Sequence, residues 1–530
     1  MGNNNNLFKY IFAVVVIFLV GYTIYVIAQN KSKDSDYQLD QTSTTSNIKT
    51  DLRFAISEID TFNPILSNNR NVQEITKIIY DPLVTLDENY KLEYCLAEEI
   101  AKTEDASYLV KIKKGILWED GSNFTANDVW FTIDKIKNAN TIYSDSLRDV
   151  IGVDVIDSTT LRIDLSGPAD FFEYNLTFPI MCAKYYENED FYSTDRVAIG
   201  TGMFKVSEYS SNVIKLVPNS YYWNNPNKKP MATEISINLY GSIGEAYSAF
   251  KNGEIDVLSI KANNIEDYIG TLGYRKLEYK AREYDFLALN TESPILSDVN
   301  VRKALSLIID RNNIMATCFE TGGYVPSNFS LDMGNWLYTQ DLTIPSDESR
   351  ASEILNIGGW EKTGNSWQKR VDGRTERLNL SITVNTSNEK RVKVAENIKE
   401  QLERFGIPVT IRYLSADRFS DAAQNRNYDI LLTGIRLGFS PNVNTFFGNY
   451  NLANYYNEEV SEILNIVSNT SNDDTLHEKY ERLFDIYLNE VPYIGLYRDT
   501  DIVVYNQNLV SNMTPNCFNI YHNIDKWYRQ

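Results

Sequence analysis

The residue types that carry covalent or metal chemistry are few in this chain, and none is spaced for it. Only two histidines exist, His477 and His522, and neither has a second His or a Cys at metal-ligand spacing. A zinc or nickel site built from imidazoles is therefore not supported, and no cofactor is expected. The four cysteines, Cys95, Cys182, Cys318 and Cys517, are scattered without a C-x-x-C. They do not make a disulfide scaffold, which leaves buried free thiols or one long-range bridge. No G-x-S-x-G, H-E-x-x-H, P-loop or EF-hand pattern is present. Acidic pairs such as Glu98/Glu99 and Asp473/Asp474 fall on expected helix or loop surfaces. A glycosidase pair would be assembled only by the fold, so spacing alone does not decide against one. Catalysis is nonetheless the minority reading of these residues. What remains is recognition by backbone groups, arginines and rings. Aromatic residues make up 12%, with 36 Tyr and 7 Trp. Most suit core packing, and the rest suit a ligand cleft, where Tyr and Trp combine an apolar face with a polar tip. The formal net charge of -20 offers no basic field to nucleic acid.

Such recognition needs elements to position it. At 530 residues the chain exceeds what one hydrophobic core supports, so two or three domains are expected. The organising stretch is 284–314, YDFLALNTESPILSDVNVRKALSLIIDRNNI. It predicts a buried strand, a turn at Pro294, and a long helix capped by Asp298, with Val301, Leu305, Ile308 and Ile309 on one face. Thr125 to Asp128 form a capping box for a helix carrying Val129, Ile133 and Ile136. Hairpins are expected over 153–165 and 199–223. A strand, helix and strand over 235–260 read as a βαβ unit of a mixed sheet. Residues 391–405 predict an amphipathic helix ended by Gly406. Two helices follow over 454–467 and 474–488. Residues 7–28, LFKYIFAVVVIFLVGYTIYVIA, are apolar and about long enough to span a ~30 Å hydrocarbon core. An uncleaved anchor is the favoured reading and a cleaved signal peptide the rival. Residues 29–50 are polar and read as a flexible stalk.

Several motifs, in order, resemble the family 5 solute-binding proteins, the extracytoplasmic receptors of ABC importers for oligopeptides, dipeptides and nickel. The stretch 284–314 resembles "lalN … DvrVRqAlsyAIDRe.I". KIKKGILWEDGSNFTANDVWFTIDKI resembles "lRkGvkFhDGtpfTAeDVvfsl". IGTGMFKV…YYW resembles "vGTGpYk…dYW", and FKNGEID resembles "lksGeiDv". The match runs from about 52 to 498. It implies an α/β, two-lobed periplasmic-binding-protein-like fold with an interlobe cleft and an extra subdomain in the first lobe. The first lobe would comprise 51–80, 195–290 and 495–530, the inserted subdomain 81–194, and the second lobe 291–494. No lipoprotein cysteine follows the apolar run, where Ala28, Gln29 and Asn30 stand instead.

The resemblance also implies the site. YDILLTGIRLGFSPNVNTFF resembles the family's "fDi.l.gW.aDy.dP", whose strand pairs with a ligand peptide along the cleft. This singles out Gly434, Ile435, Arg436, Leu437, Gly438 and Phe439. Asn68, Asn69 and Arg70 follow the family's "lNP" corner, where ligand backbone is often touched. Tyr497 closes the "d.PiiPly" match. The aspartate that meets a peptide's free amine in the family aligns with Gly438, a departure that leaves the ligand's terminus without its usual partner. Arg436 can meet a carboxylate or carbonyl, or can be a solvated surface arginine. The implied function is capture of peptide and delivery to ABC permease subunits by a monomer tethered at the outer face of a bacterial membrane. A receptor for a signalling peptide, a binder of oligosaccharide or chelated metal, and a surface hydrolase remain as alternatives.

Overall fold

The computed structural model describes residues 48–530 apart from 105, 194–196, 225–226, 262–272, 320–321 and 339–343. The apolar stretch 7–28 and the stalk up to 47 lie outside the described residues. No helix among the described residues is long and apolar enough to cross a membrane.

Two unusually long strands, Tyr274–Leu289 and Tyr493–Asn506, pair antiparallel and form the spine. One half of the pair contributes Leu277, Tyr279, Val503 and Tyr505 to a core built largely from residues 52–257 and 509–527. The other half contributes Leu287, Leu289, Ile494 and Leu496 to a second core formed with helices and strands up to 432. Residues 286–289, 493–497 and 502–505 are apolar on both faces, as a strand buried on both sides requires, whereas 275–283 carry Arg, Lys and Glu and are partly exposed. Between the halves the register slips. Lys280 faces Thr500 and Tyr284 faces Arg498, so residues 281–283 stand opposite Asp499 alone. Such a bulge bends the strand and re-aims its side chains.

The spine belongs to a seven-stranded sheet. Its order is Val257–Lys261, Tyr493–Asn506, Tyr274–Leu289, Ile430–Arg436, Leu380–Asn385, Val409–Leu414, with Tyr324–Pro326 beside Tyr493–Asn506. A four-stranded sheet joins Asp51–Ser57, Glu234–Tyr240, Val213–Pro218 and Phe204–Tyr209. A second one, all antiparallel, joins Ala97–Glu104, Ser107–Ile112, Thr160–Leu165 and Val150–Asp157.

Most local expectations hold. Asp128 accepts the amide of Thr125 at 2.8 Å, closing the capping box of Ala126–Asn138. Gly406, at φ +102°, ends Glu389–Phe405 in the left-handed conformation that glycine tolerates best. Gly200 and Gly202 let the backbone approach Ile79, whose carbonyl oxygen would lie 1.9 Å from a Cβ at Gly200. Leu476, Tyr480, Leu483, Phe484 and Tyr487 are buried on one face of Asp473–Glu490.

Three expectations need correction. The helix capped by Asp298 is not one helix. Val299–Ile308 stops, and Asp310 caps a second helix, Arg311–Cys318, by accepting the amide of Asn313. The apolar period continued across a residue that serves better as a cap than as a helix interior. The strands flanking the helix Ile243–Lys251 do not share a sheet, so they form no βαβ unit. Glu234–Tyr240 joins the four-stranded sheet, and Val257–Lys261 pairs antiparallel with the long C-terminal strand. Glu98 and Glu99 lie on a strand, Ala97–Glu104, and not on a helix or loop. All four cysteines are free.

One buried group makes stability depend on pH. His522 is largely buried, and its Nε2 has no partner among the described residues. Burial, reinforced by the charge of Lys77, pushes its pKa down to about 4. The unfolded imidazole titrates near ~6.5, so between these values the unfolded chain takes a proton that the folded chain refuses. This contribution is intact above the unfolded value and is lost as pH falls toward the folded one. It is expected to be on the order of 3 kcal/mol. His522→Phe should flatten the fall in Tm between about pH 7 and about pH 4.5. An unchanged slope would place the acid sensitivity elsewhere.

Candidate functional site

The strand Ile430–Arg436 carries the first group of expected site residues. On one side it is paired along its whole length with Tyr274–Leu289, from Ile430 against Leu289 to Arg436 against Glu283. On the other side its pairing with Leu380–Asn385 stops after Ile430 and Leu431. Residues 432–436 therefore present one unpaired backbone edge among the described residues. An unpaired edge is a template for an added strand.

Behind this edge lies a charged network. Asp285, buried on the neighbouring strand opposite Gly434, accepts two hydrogen bonds from Arg391, at 2.9 Å from Nε and 2.8 Å from Nη2. It accepts a third from the Tyr497 hydroxyl at 2.6 Å. Arg391 comes from the first turn of Glu389–Phe405, which Asn388 caps. Burial opposes the charge on Arg391, but its bonds to Asp285 more than compensate and hold its pKa above the usual value. The Tyr497 hydroxyl is pushed far upward, first by burial and then by the adjacent Asp285 charge, so it donates and stays neutral. Gly434 makes room for this pair. A Cβ there would stand 1.8 Å from Asp285 Oδ1 and 2.2 Å from Arg391 Nη2.

Past the strand the chain folds inward. The Leu437 amide donates to the Arg282 carbonyl at 3.0 Å, and Arg282 Nε donates back to the Leu437 carbonyl at 2.5 Å. Phe439 stacks on Tyr90 with centroids 6.2 Å apart and meets Phe518 edge-on at 5.1 Å. Met333 joins the same apolar cluster. Nearby, the Trp336 amide donates to the Asn89 carbonyl at 2.8 Å, and Asn444 donates to Asp170 at 2.8 Å.

The residues after the first corner have mostly local duties. Asp60 accepts from the Ser67 hydroxyl and the Asn68 amide, both at 2.6 Å. Burial would raise the Asp60 carboxyl, yet these bonds and that of the Thr61 amide hold it below its ordinary range. Asn69 caps the helix Arg70–Thr76 and donates to the Ser57 and Glu58 carbonyls. Its side chain is thus spent on the turn. Asn69→Ala should cost about 1 kcal/mol, read as a lower urea midpoint. Arg70 reaches the spine instead, meeting Asp501 Oδ2 and the Tyr279 hydroxyl, each at 2.6 Å. Together with Ser57, Glu58, Asp60, Asn71 and Ile243, Asn69 and Arg70 line an open groove.

The structure thus brings Gly434 and Tyr497 together on Asp285, sets Leu437 and Phe439 against Arg282, and carries Arg70 to the spine. Ile435 is half-buried and Gly438 exposed. Arg436 points to solvent, its nearest acid being Glu283 at 3.8 Å. The sequence reading missed Asp285, Arg391 and Arg282. The signal available for Asp285 was a carboxylate inside an otherwise apolar strand; Arg391 and Arg282 gave none. No group of three or more His, Cys, Asp or Glu that could hold a metal exists among the described residues.

A pair of long strands running between two of the hydrophobic cores, with an unpaired edge beside it, is the architecture of a two-lobed binding protein. The chain belongs to the bacterial extracellular solute-binding proteins, family 5, whose sequence pattern matches residues 91–457. It is 22% identical to the oligopeptide-binding protein AppA of Bacillus subtilis, over 89% of this chain and 90% of that one. It is 24% identical to the peptide transport periplasmic protein SapA of Salmonella typhimurium, over 85% of this chain and 87% of that one. Its fold is shared with the unliganded open form of MppA, a periplasmic murein tripeptide binding protein, with a TM-score of 0.74, 17% identity, and 91% and 97% of the two chains covered. It is shared also with a nickel ABC transporter structure from Bacillus halodurans, with a TM-score of 0.74, 18% identity, and 91% and 100% covered.

Proposed function

We propose that this chain is the extracytoplasmic substrate-binding component of an ABC importer and that it captures peptides for a membrane permease. The observation that carries the peptide reading is the unpaired edge at residues 432–436. A peptide backbone can pair there irrespective of its side chains, each bond contributing about 1 kcal/mol net. The names of the relatives support it: AppA is called oligopeptide-binding and SapA a peptide transport protein, and a structure of AppA holds a nonapeptide. In this reading the first lobe comprises 51–80, 195–290 and 495–530 with 81–194 inserted, and the second 291–494. The contacts of Phe439, Trp336 and Asn444 with Tyr90, Asn89 and Asp170 then span the cleft. The protein works as a tethered monomer, anchored by residues 7–28, and binds without turnover.

The test is to purify the full-length chain in mild detergent without denaturation, release its contents with acid, and identify them by mass spectrometry. A heterogeneous set of peptides is the expected result. An empty protein that also ignores a peptide pool in thermal-shift assays would overturn the peptide reading. Intact peptides recovered after prolonged incubation are expected; cleaved ones would make the protein a hydrolase.

A further inference from the structure

A cavity of about 220 Å³ lies away from the strand edge at residues 432–436. Every residue that lines it falls within 73–228 or is Phe518 or Asn519. The helix Arg70–Thr76, the turn at Asp81 and Pro82, and the segment 222–224 contribute its walls.

The inner wall carries a buried carboxylate. Asp81 is 8% exposed. Its Oδ2 accepts from Trp223 Nε1 at 2.8 Å and from the Thr201 hydroxyl at 3.2 Å. Both bonds fall on one oxygen, and no lysine or arginine among the described residues forms an ion pair with this carboxylate. The charge of Lys113 acts on it from farther away. That ammonium is held by the Tyr94 and Cys95 carbonyls and lies 4.2 Å from the Trp223 ring centroid. Burial raises the Asp81 carboxyl in spite of these bonds and this charge. A buried carboxylate is costly until a cation adjoins it. The space beside Asp81 is walled by the rings of Tyr80, Tyr143, Tyr222 and Trp223. Ring faces and a carboxylate together favour an ammonium group.

The outer wall carries the opposite charge. Lys228 is exposed, and its ammonium has no hydrogen-bond or ion-pair partner among the described residues. Lys228 and Asp81 both act on the buried Cys95 thiol, so the two charges face one small space. Lys77, the other lysine on the wall, is already bonded to Glu74 and to the Phe518 carbonyl. Glu93 is also exposed on this wall and would repel a second carboxylate. The arrangement suits a small molecule with one ammonium, directed inward, and one carboxylate, directed outward.

We propose that this cavity is a second ligand site, which takes a free amino acid with its ammonium against Asp81 and its carboxylate at Lys228. Amino acids with a neutral side chain fit it better than aspartate or glutamate, because of Glu93. The site shares no lining residue with the strand edge, so it stands apart from the peptide reading.

The experiment uses the full-length protein in mild detergent and the twenty amino acids, each titrated singly. Binding is followed by isothermal titration and by the fluorescence of tryptophan, since Trp223 is part of the wall. The expected result is saturable binding of at least one neutral amino acid. Its amide and its N-acetyl derivative should bind at least about ten-fold more weakly. Asp81→Asn and Lys228→Ala should each weaken binding by a similar factor, and saturating peptide should not compete. Failure of all twenty to bind would overturn the proposal, as would blocked derivatives that bind as well as the parent. Affinity unchanged in both variants would do the same. Competition by peptide would place the amino acid at the strand edge and so overturn the second site while supporting the peptide reading. Thermal unfolding of each variant guards against misfolding. Lys228→Ala, at an exposed position, keeps the comparison valid where Asp81→Asn does not fold.

Discussion

Asp332→Ala is expected to lower the unfolding free energy by about 3–5 kcal/mol, the cost of stranding a buried charge. Arg498 is 0% exposed and sits on the long strand Tyr493–Asn506, beside the bulge. Its Nε donates to Asp332 Oδ1 at 2.7 Å, and the Ser327 hydroxyl donates to the same oxygen at 2.9 Å. The guanidinium also meets the Ser330 carbonyl and lies over the Tyr284 ring. Removing the carboxylate leaves a cation that water cannot reach. Urea unfolding monitored by tryptophan fluorescence reads the loss directly. Replacing both partners at once, Asp332→Leu with Arg498→Met, should cost less than Asp332→Ala alone, because no buried charge remains. A loss below about 1 kcal/mol for Asp332→Ala would mean that the pair is wetter than this geometry implies.

Gly434→Val is expected to weaken peptide binding by about 10- to 100-fold, the loss of one or two ladder bonds of about 1 kcal/mol each with some strain. A Cβ at Gly434 falls 1.8 Å from Asp285 Oδ1 and 2.2 Å from Arg391 Nη2. Neither atom can retreat freely, because both belong to one bidentate pair that Tyr497 also holds. Relief requires the strand to move, which displaces the edge at residues 432–436. Overpacking of this kind also costs about 1–3 kcal/mol of stability. Arg436→Ala, two residues along the same strand, is the control. Its side chain is exposed, and it should change stability by less than about 0.5 kcal/mol. Equal effects of the two substitutions on binding would show that the network behind the edge is not what shapes it.

The local elements were largely written in local sequence. Capping at Thr125 and Asp128, the left-handed stop at Gly406 and the buried face of Asp473–Glu490 depend on neighbours within a few residues, and neighbouring residue types report that physics. The break at Asp310 was missed for the same locality, since a cap and a helix-interior residue share one composition. Which strands share a sheet was not local. The strands flanking Ile243–Lys251 joined different sheets because their partners come from residues 51–57 and 501–505.

The sequence by itself determined the family, which follows from motif order, and it pointed to residues 434–439 as the stretch expected to meet ligand. Only the tertiary structure decided what each side chain does there. Asn69 became a cap and Arg436 a solvated cation. Asp285 and Arg391, 106 residues apart, became one ion pair behind Gly434. Charge balance in a half-buried site depends on which distant groups the fold brings within a few ångströms, and no spacing along the chain records that distance.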